Sequence, residues 1–169
     1  DCLPLLLSLN AQIVLQNLKK TKILFLDSFF ISYRKTKLKK GQFIHSIRIP
    51  LFQNNTFKAY KVSKRFDDDI SSVCAAFNLE IVKNKVKSVR IAYGGMATTP
   101  KRAIYCERIL LNSLVTEKII HKAKEALEKD FRPISDMRAS GLYRMEVAKN
   151  LLEKCCVEIK QKKLIGINE

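Results

Sequence analysis

The sequence predicts an α+β fold in which antiparallel strands come first and helices follow. Apolar residues occupy every second position in residues 73–81 and again in residues 89–93, which indicates two strands that share one apolar face across a tight turn. Residues 57–64 supply a third strand. The apolar residues of 119–127 recur at helical spacing, as do those of 147–156. We therefore expect a sheet that packs against helices from the second half of the chain.

The first 50 residues contain further strands without an evident covering layer. Alternating apolar residues predict strands near residues 11–15 and 23–26, and another at residues 43–49 that stops at Pro50. A sheet of this size is not stable by itself. We therefore expect this segment to be the tail of a larger domain whose front half is missing or lies in another chain. The polar connector 53–56 marks the expected domain boundary.

Three helices are predicted after the sheet. The pair Gly94-Gly95 supplies a turn with free backbone dihedrals, and a first helix is expected at residues 101–111. Thr116 is a good N-cap for a second helix, and the third helix contains the apolar stripe described above. Residues 161–169 lack such a stripe and are expected to fray. The predicted organisation is one unit at 1–52, a second at 57–160 and a tail at 161–169.

The chain is strongly basic, with 32 Lys and Arg against 16 Asp and Glu and a net charge of +16. Such a balance raises nucleic acid as a partner. However, 23 of the 32 basic residues are Lys, they occur in nearly every segment, and no stripe of aromatic and Arg side chains accompanies them. We therefore interpret the charge as a solvated, Lys-rich surface and rank nucleic-acid binding last among the candidate functions.

The cysteines and histidines do not form a recognisable metal site. The five cysteines include no CxxC pair, so their spacing gives neither an iron-sulfur nor a zinc ligand set. The two histidines, His45 and His121, do not suggest a zinc site or a Ser/His/Asp triad. The apolar run Leu3 to Leu9 is far shorter than the ~20 residues that span a bilayer. No basic leader precedes it, so we expect a cytoplasmic protein with reduced thiols and no membrane partner.

One loop carries charge that core packing does not explain. Residues 65–69, Arg-Phe-Asp-Asp-Asp, connect the first two strands of the predicted sheet. A hydrophilic hairpin loop is the simple alternative. We nevertheless expect function at this loop.

Four separated segments are informative when they are taken together. They are SYRKTKLKKGQFIHSIRIP at 32–50, FKAYKVSKRFDDDISSV at 57–73, RIAYGGMATTPKRA at 90–103 and SDMRASGLYRMEVAKNLL at 135–152. In collinear order they resemble the flavoprotein part of xanthine dehydrogenase, and the last segment is most similar to the bacterial small-subunit form. This resemblance implies the end of a vanillyl-alcohol-oxidase-like FAD-binding domain. A three-stranded antiparallel sheet packed on three helices would follow it.

The resemblance also implies a reaction. In the family a molybdenum centre in the large subunit hydroxylates xanthine or hypoxanthine, and electrons pass through two iron-sulfur clusters to FAD and then to NAD. FAD is the cofactor that this segment would touch, whereas molybdopterin and the upstream [2Fe-2S] clusters belong to other segments or partner chains. The Gly-rich segment that wraps the FAD pyrophosphate is not among these residues. The isolated chain is therefore expected to bind FAD weakly or not at all and to be inactive alone.

The resemblance assigns four flavin contacts to this sequence. Asp1 resembles the last residue of a loop that meets FAD, and Ile44 resembles an aliphatic residue that packs against the cofactor. Lys61 resembles a lysine that contacts FAD, and Asp68 resembles the carboxylate nearest the flavin. A cation such as Lys61 would stabilise the anionic flavin hydroquinone. Without the resemblance, Lys61 would be an ordinary strand lysine and Ile44 a core residue.

A non-catalytic role stays open beside the flavoprotein interpretation. The three helices would in that case form a docking module for a partner subunit. Separately, Arg138 and Arg144 could form an anion site near a helix start, but we interpret them as anchors that hold the last helix to the sheet or to a partner subunit.

Overall fold

The structure is a computed structural model of the 169-residue chain, and it describes residues 1–65 and 69–161. Its helices are α1 (Cys2–Ser8), α2 (Ile104–Leu110), α3 (Glu117–Asp130) and α4 (Gly141–Gln161). Its strands are β1 (Gln12–Gln16), β2 (Thr21–Phe25), β3 (Phe30–Ser32), β4 (Lys35–Thr36), β5 (Phe43–Arg48), β6 (Thr56–Val62), β7 (Val73–Val82), β8 (Lys85–Gly94) and β9 (Lys101–Arg102). Residues 162–169 of the predicted frayed tail lie outside the described residues.

The larger sheet is antiparallel, with strand order β6-β7-β8-β9. The three predicted strands correspond to β6, β7 and β8. Strands β7 and β8 meet in a tight turn where Lys83 and Asn84 both adopt positive φ angles of 48° and 60°, the geometry that matches the twist of a hairpin. The structure therefore confirms the predicted antiparallel arrangement and adds one short strand at its edge.

The prediction that a helix begins at residue 101 is wrong. Lys101 and Arg102 pair with β8 as strand β9, and α2 begins only at Ile104. The carboxylate of Asp130 then accepts hydrogen bonds from the backbone N–H groups of Tyr105 and Cys106, each at 3.0 Å. Asp130 therefore satisfies free N–H groups of the first turn, a function that local sequence did not reveal.

One face of the larger sheet packs on α2, α3 and α4 to form the main core. Phe77 and Tyr93 are fully buried there, and the Tyr93 hydroxyl donates to the carbonyl of Ala148 on α4 at 3.0 Å. The predicted N-cap of α3 is also present, because the side chain of Thr116 accepts a hydrogen bond from the backbone N–H of Ile119. These contacts confirm that the apolar stripes of the helices face the sheet.

Helix α1 covers the opposite face of the same sheet. Arg90 of β8 donates to the carbonyl of Leu7 at 3.0 and 3.3 Å, and Asn78 of β7 donates to the carbonyl of Ser8 at 3.2 Å. These side chains satisfy carbonyls at the C-terminal end of α1. Leu7 also packs in a second core that includes residues of β1 and Ala92 of β8. Helix α1 therefore lies between the two sheets.

The smaller sheet has strand order β2-β1-β5. Its central strand β1 is buried, whereas most residues of β2 and β5 are exposed. Strands β3 and β4 form a separate two-stranded ladder. Within residues 1–65 and 69–161, no helix has the length and apolar character needed to cross a membrane. The same residues contain no group of three or more His, Cys, Asp or Glu side chains that could hold a metal ion.

Candidate functional site

Two of the predicted flavin contacts lie side by side. Lys61 is near the end of β6, and its Nζ lies 3.2 Å from Oδ2 of Asp1. The hydroxyl of Ser71 donates to the other carboxylate oxygen, Oδ1, at 2.7 Å. The side chains of Lys61 and Asp1 are 43% and 41% exposed, so both charges are accessible to a ligand. An ammonium group has three N–H donors, which leaves Lys61 able to bind a further acceptor.

A cavity of about 280 Å³ opens beside Asp1, and Lys61 is not one of its lining residues. Asp1 and Ser71 line it at one side, and Asp136 and Arg138 also contribute to its wall. Cys74, in register with Lys61, lines it too, and its thiol donates to the backbone carbonyl of Asp1 at 3.5 Å. Burial raises the pKa of the Cys74 thiol. Cys74 is 3% exposed and packs in the wall of the cavity.

Arg144 holds the far wall of the cavity in place. It lies in the first turn of α4 and is only 3% exposed. Its Nη1 donates to the backbone carbonyls of Ser72 and Gly95, and its Nη2 donates to Asp136 at 2.6 Å. These bonds join α4 to the start of β7 and to the segment after β8, in agreement with the predicted anchoring role. Ser71 and Asp136 lie in two of the segments that resemble xanthine dehydrogenase, but neither was predicted as a site residue, because each acts through a partner from another element.

The two adjacent glycines are needed for different reasons. Gly95 has φ +79°, and a Cβ there would lie 2.3 Å from the carbonyl oxygen of Ser72. Gly94 is the last residue of β8, and a Cβ there would lie 3.0 Å from Cγ of Pro4 in α1. The turn predicted from sequence explains Gly95. The close approach of α1, which the sequence does not predict, explains Gly94.

The charged loop is described only in part. Asp68, the predicted carboxylate nearest the flavin, lies outside the described residues. Asp69 accepts a hydrogen bond from the backbone N–H of Arg65 at 3.0 Å, and this bond holds the pKa of Asp69 below its usual value. Lys64 donates to the carbonyl of Met137 at 2.7 Å, so the start of the loop contacts the connector before α4.

Ile44 is not part of the Asp1–Lys61 cluster. It lies on β5 in register with Leu15 and is 48% exposed. Among the described residues, no hydrogen bond, ion pair or core cluster joins Ile44 to Asp1 or Lys61. Of the three predicted contact residues that the structure describes, it thus brings together Asp1 and Lys61 but not Ile44.

Comparison with known protein families identifies both parts of the chain. Residues 58–159 match the family model described as the CO dehydrogenase flavoprotein C-terminal domain. The chain belongs to this flavoprotein family. Residues 1–52 match a second model, the FAD binding domain in molybdopterin dehydrogenase. The cofactor of the family is therefore FAD, as the resemblance to xanthine dehydrogenase predicted.

Individual relatives of the flavoprotein are oxidoreductases. The glyceraldehyde dehydrogenase medium chain of Sulfolobus acidocaldarius is 28% identical over 155 residues, a match that covers 91% of this chain and 54% of that protein. Xanthine dehydrogenase of Emericella nidulans is 35% identical over 135 residues, which cover 78% of this chain and 10% of that protein. The chain thus spans about half the length of the medium chain it matches and a small part of the xanthine dehydrogenase.

Solved structures confirm the fold of the flavoprotein. Carbon monoxide dehydrogenase from Hydrogenophaga pseudoflava superposes with a TM-score of 0.85 at 23% identity, covering 90% of this chain and 53% of that chain. Quinoline 2-oxidoreductase from Pseudomonas putida 86 superposes with a TM-score of 0.81 at 21% identity, covering 96% of this chain and 56% of that one. The mixed arrangement of helices and antiparallel sheets is therefore that of these enzymes' matching chains.

Proposed function

We propose that this chain forms the C-terminal half of the FAD-binding subunit of a molybdenum hydroxylase similar to xanthine dehydrogenase. Residues 1–52 would complete the FAD-binding domain, and residues 57–160 would form the domain that follows it. The subunit would receive electrons from iron-sulfur clusters and pass them to NAD during purine hydroxylation at a molybdopterin centre in the large subunit.

The observation that carries this proposal is the pairing of Asp1 with Lys61. These residues come from the two segments that match separate family models, and they meet at 3.2 Å with both side chains partly exposed. The site also fits a flavin chemically, since an ammonium has three N–H donors and Asp1 is the partner of Lys61 among the described residues. The charge of Lys61 would favour an anionic reduced ring. When bound, FAD would supply two-electron transfer.

Each of the four predicted flavin-contact residues has a distinct role in this proposal. Lys61 provides the positive charge and a hydrogen-bond donor. Asp1 accepts from Lys61 and Ser71 at the same time, which fixes the direction of the lysine side chain. Ile44 would supply apolar contact to the cofactor, and Asp68 would place a negative charge near the ring. A carboxylate there would oppose formation of the anionic hydroquinone, which is the opposite effect to that of Lys61.

Replacement of the lysine tests the proposal. The chain would be purified together with the polypeptide that completes the FAD-binding domain, as wild type and as Lys61→Met. We expect the wild-type protein to be yellow. In the variant, the anionic hydroquinone should be destabilised about tenfold relative to oxidised flavin. This change corresponds to a decrease of about 30 mV in the two-electron reduction potential. Lys87→Met, at an exposed position of β8, is the matched control and should leave the potential unchanged.

Two results would contradict the cofactor role. One is a colourless wild-type complex that free FAD cannot reconstitute. The other is a Lys61→Met complex with the wild-type potential. Tight association with the molybdenum-containing chain in the absence of flavin would instead favour the docking-module interpretation.

A further inference from the structure

The strand that carries Lys61 lies at the edge of the larger sheet. Among the described residues, β6 pairs with β7 alone, and Lys61 is the last residue but one of β6. Lys61 is in register with Cys74 of β7, and its ammonium group reaches Asp1. An ion pair between side chains that are 43% and 41% exposed adds little to the order of a strand. The position of Lys61 therefore depends on what holds β6 itself.

The opposite face of β6 is fastened to α4 by a buried carboxylate. Glu158 lies in the last turn of α4 and is 3% exposed. Its Oε2 accepts a hydrogen bond from the Tyr60 hydroxyl at 2.9 Å and lies 3.1 Å from Nζ of Lys58. Its Oε1 lies 3.3 Å from Nζ of Lys154, one turn earlier on α4. Two residues of β6 and one of α4 thus meet at a single carboxylate.

Tyr60, which directly precedes Lys61, is held from several sides. Its ring packs edge-to-face on Phe77 of β7 with the centroids 5.8 Å apart, and Nζ of Lys154 lies 5.7 Å from the ring centroid. Burial raises the pKa of the Tyr60 hydroxyl, so this group stays protonated and can donate. Successive side chains of a strand point to opposite faces. The anchored Tyr60 therefore fixes the backbone from which Lys61 projects on the other face.

We propose that Glu158 is a positioning residue that holds β6 so that Lys61 lies beside Asp1 and the flavin. This role rests on the proposed function, because it matters to the cofactor only if Lys61 contacts FAD. A buried carboxylate that loses a partner becomes an uncompensated charge, so the cluster favours one position of β6 over its alternatives. Helix α4 would then serve the site at both ends. Arg144 in its first turn fixes the cavity wall, and Glu158 in its last turn fixes the strand that carries the cation.

The sign of a redox shift tests this role. The full chain would be purified with the polypeptide that completes the FAD-binding domain, as wild type and as Glu158→Gln. Loss of a negative charge that acts through space would favour the anionic hydroquinone and raise the flavin potential. Displacement of Lys61 has the opposite sign. We therefore expect the hydroquinone to be destabilised about threefold, because the attraction of a cation falls with distance. This change corresponds to a decrease of about 15 mV in the two-electron reduction potential.

Matched variants separate positioning from charge and from folding. Glu153→Gln removes the same charge from the same helix, at a side chain that is 49% exposed, and should leave the potential unchanged. Tyr60→Phe removes one hydrogen bond but keeps the packed ring, so it should fold and lower the potential in the same direction as Glu158→Gln. In a Lys61→Met background, Glu158→Gln should have no further effect, since the two residues act through one contact.

Lysine acetylation gives a second readout that needs no flavin. The rate at which acetic anhydride acetylates Lys61 would be measured by mass spectrometry in wild type and in Glu158→Gln. We expect the rate to rise about threefold in the variant, because the ammonium group spends less time beside Asp1. Lys87, exposed on β8, is the internal control and should react at the same rate in both proteins.

Different results contradict the two proposals. The positioning role is overturned if Lys61→Met lowers the potential but Glu158→Gln leaves it unchanged or raises it. An equal shift in the Lys61→Met background, or an unchanged acetylation rate of Lys61, would overturn it as well. A colourless wild-type complex, or a Lys61→Met complex with the wild-type potential, contradicts the cofactor role instead. In that case the acetylation rates still decide whether Glu158 holds Lys61 in place.

Discussion

Replacement of Arg144 by Met should destabilise the chain strongly. Met keeps much of the apolar stem but removes the donors to Ser72, to Gly95 and to the more exposed carboxylate of Asp136. Ser72 is 3% exposed, so removal of the guanidinium leaves its buried backbone carbonyl without a hydrogen-bond donor. Such a loss is worth about 2 kcal/mol, and the partly exposed Gly95 bond adds about 1 kcal/mol. We therefore expect a decrease of about 3 kcal/mol in the free energy of unfolding.

The change can be measured by urea unfolding monitored by circular dichroism, as a shift of the unfolding midpoint with an unchanged m-value. Arg138→Met is the matched control. Arg138 lies six residues away on the same segment, but its side chain is 36% exposed and its ion pair with Asp136 spans 3.8 Å. It should have far less effect, as exposed ion pairs generally do. Equal midpoints for the two variants would show that the buried carbonyl bonds do not stabilise the fold.

Two further predictions concern the same corner of the molecule. Gly95→Ala should lower the free energy of unfolding by about 2 kcal/mol or more, because its Cβ would collide with the carbonyl oxygen of Ser72. Gly41 also has a positive φ, +77°, but a Cβ there would have no non-adjacent neighbour within 4 Å among the described residues. Gly41→Ala should therefore cost only about 1 kcal/mol in the same unfolding assay. Hydrogen bonds from the backbone N–H of Arg138 and of the next residue hold the pKa of Asp136 below its usual value. The stability that Asp136 contributes is therefore present above pH ~4 and lost as pH falls through the lowered pKa. The difference in free energy of unfolding between wild type and Asp136→Asn should accordingly become smaller in acid. A gap that is constant from pH 7 to pH 3 would contradict this linkage.

The alternating pattern predicted the strands of the larger sheet but only one of its two covered faces. Phe77 and Ile91 point to the helices, as their spacing indicated. Cys74 and Ala76 point the other way and are also buried. Their small size allows a helix to approach closely, a feature that becomes interpretable only once α1 is known. Because α1 is just seven residues long and contains Pro4, helical periodicity could not identify it.

The candidate site could be predicted only through family resemblance. Asp1 and Lys61 are sixty positions apart, and no short-range pattern relates them. Their proximity depends on α1 packing on the sheet, which is a tertiary effect. Ser71 and Asp136 are still harder to foresee, because each acts through a partner from another element. Arg144 was recognisable as an anchor, but its acceptors were not, since they are backbone carbonyls that any residue type could provide.

The position of Asp1 is set by contacts that lie well away from its carboxylate. Asp1 directly precedes α1, and α1 is held to β7 and β8 at its other end by Asn78 and Arg90. Near its start, α1 can approach β8 only because Gly94 has no side chain. The negative charge beside Lys61 is therefore placed by helix packing and not by the ion pair alone, which at about 40% exposure is too weak to fix a backbone. It follows that the field around the proposed flavin position is a property of the whole α1–sheet interface.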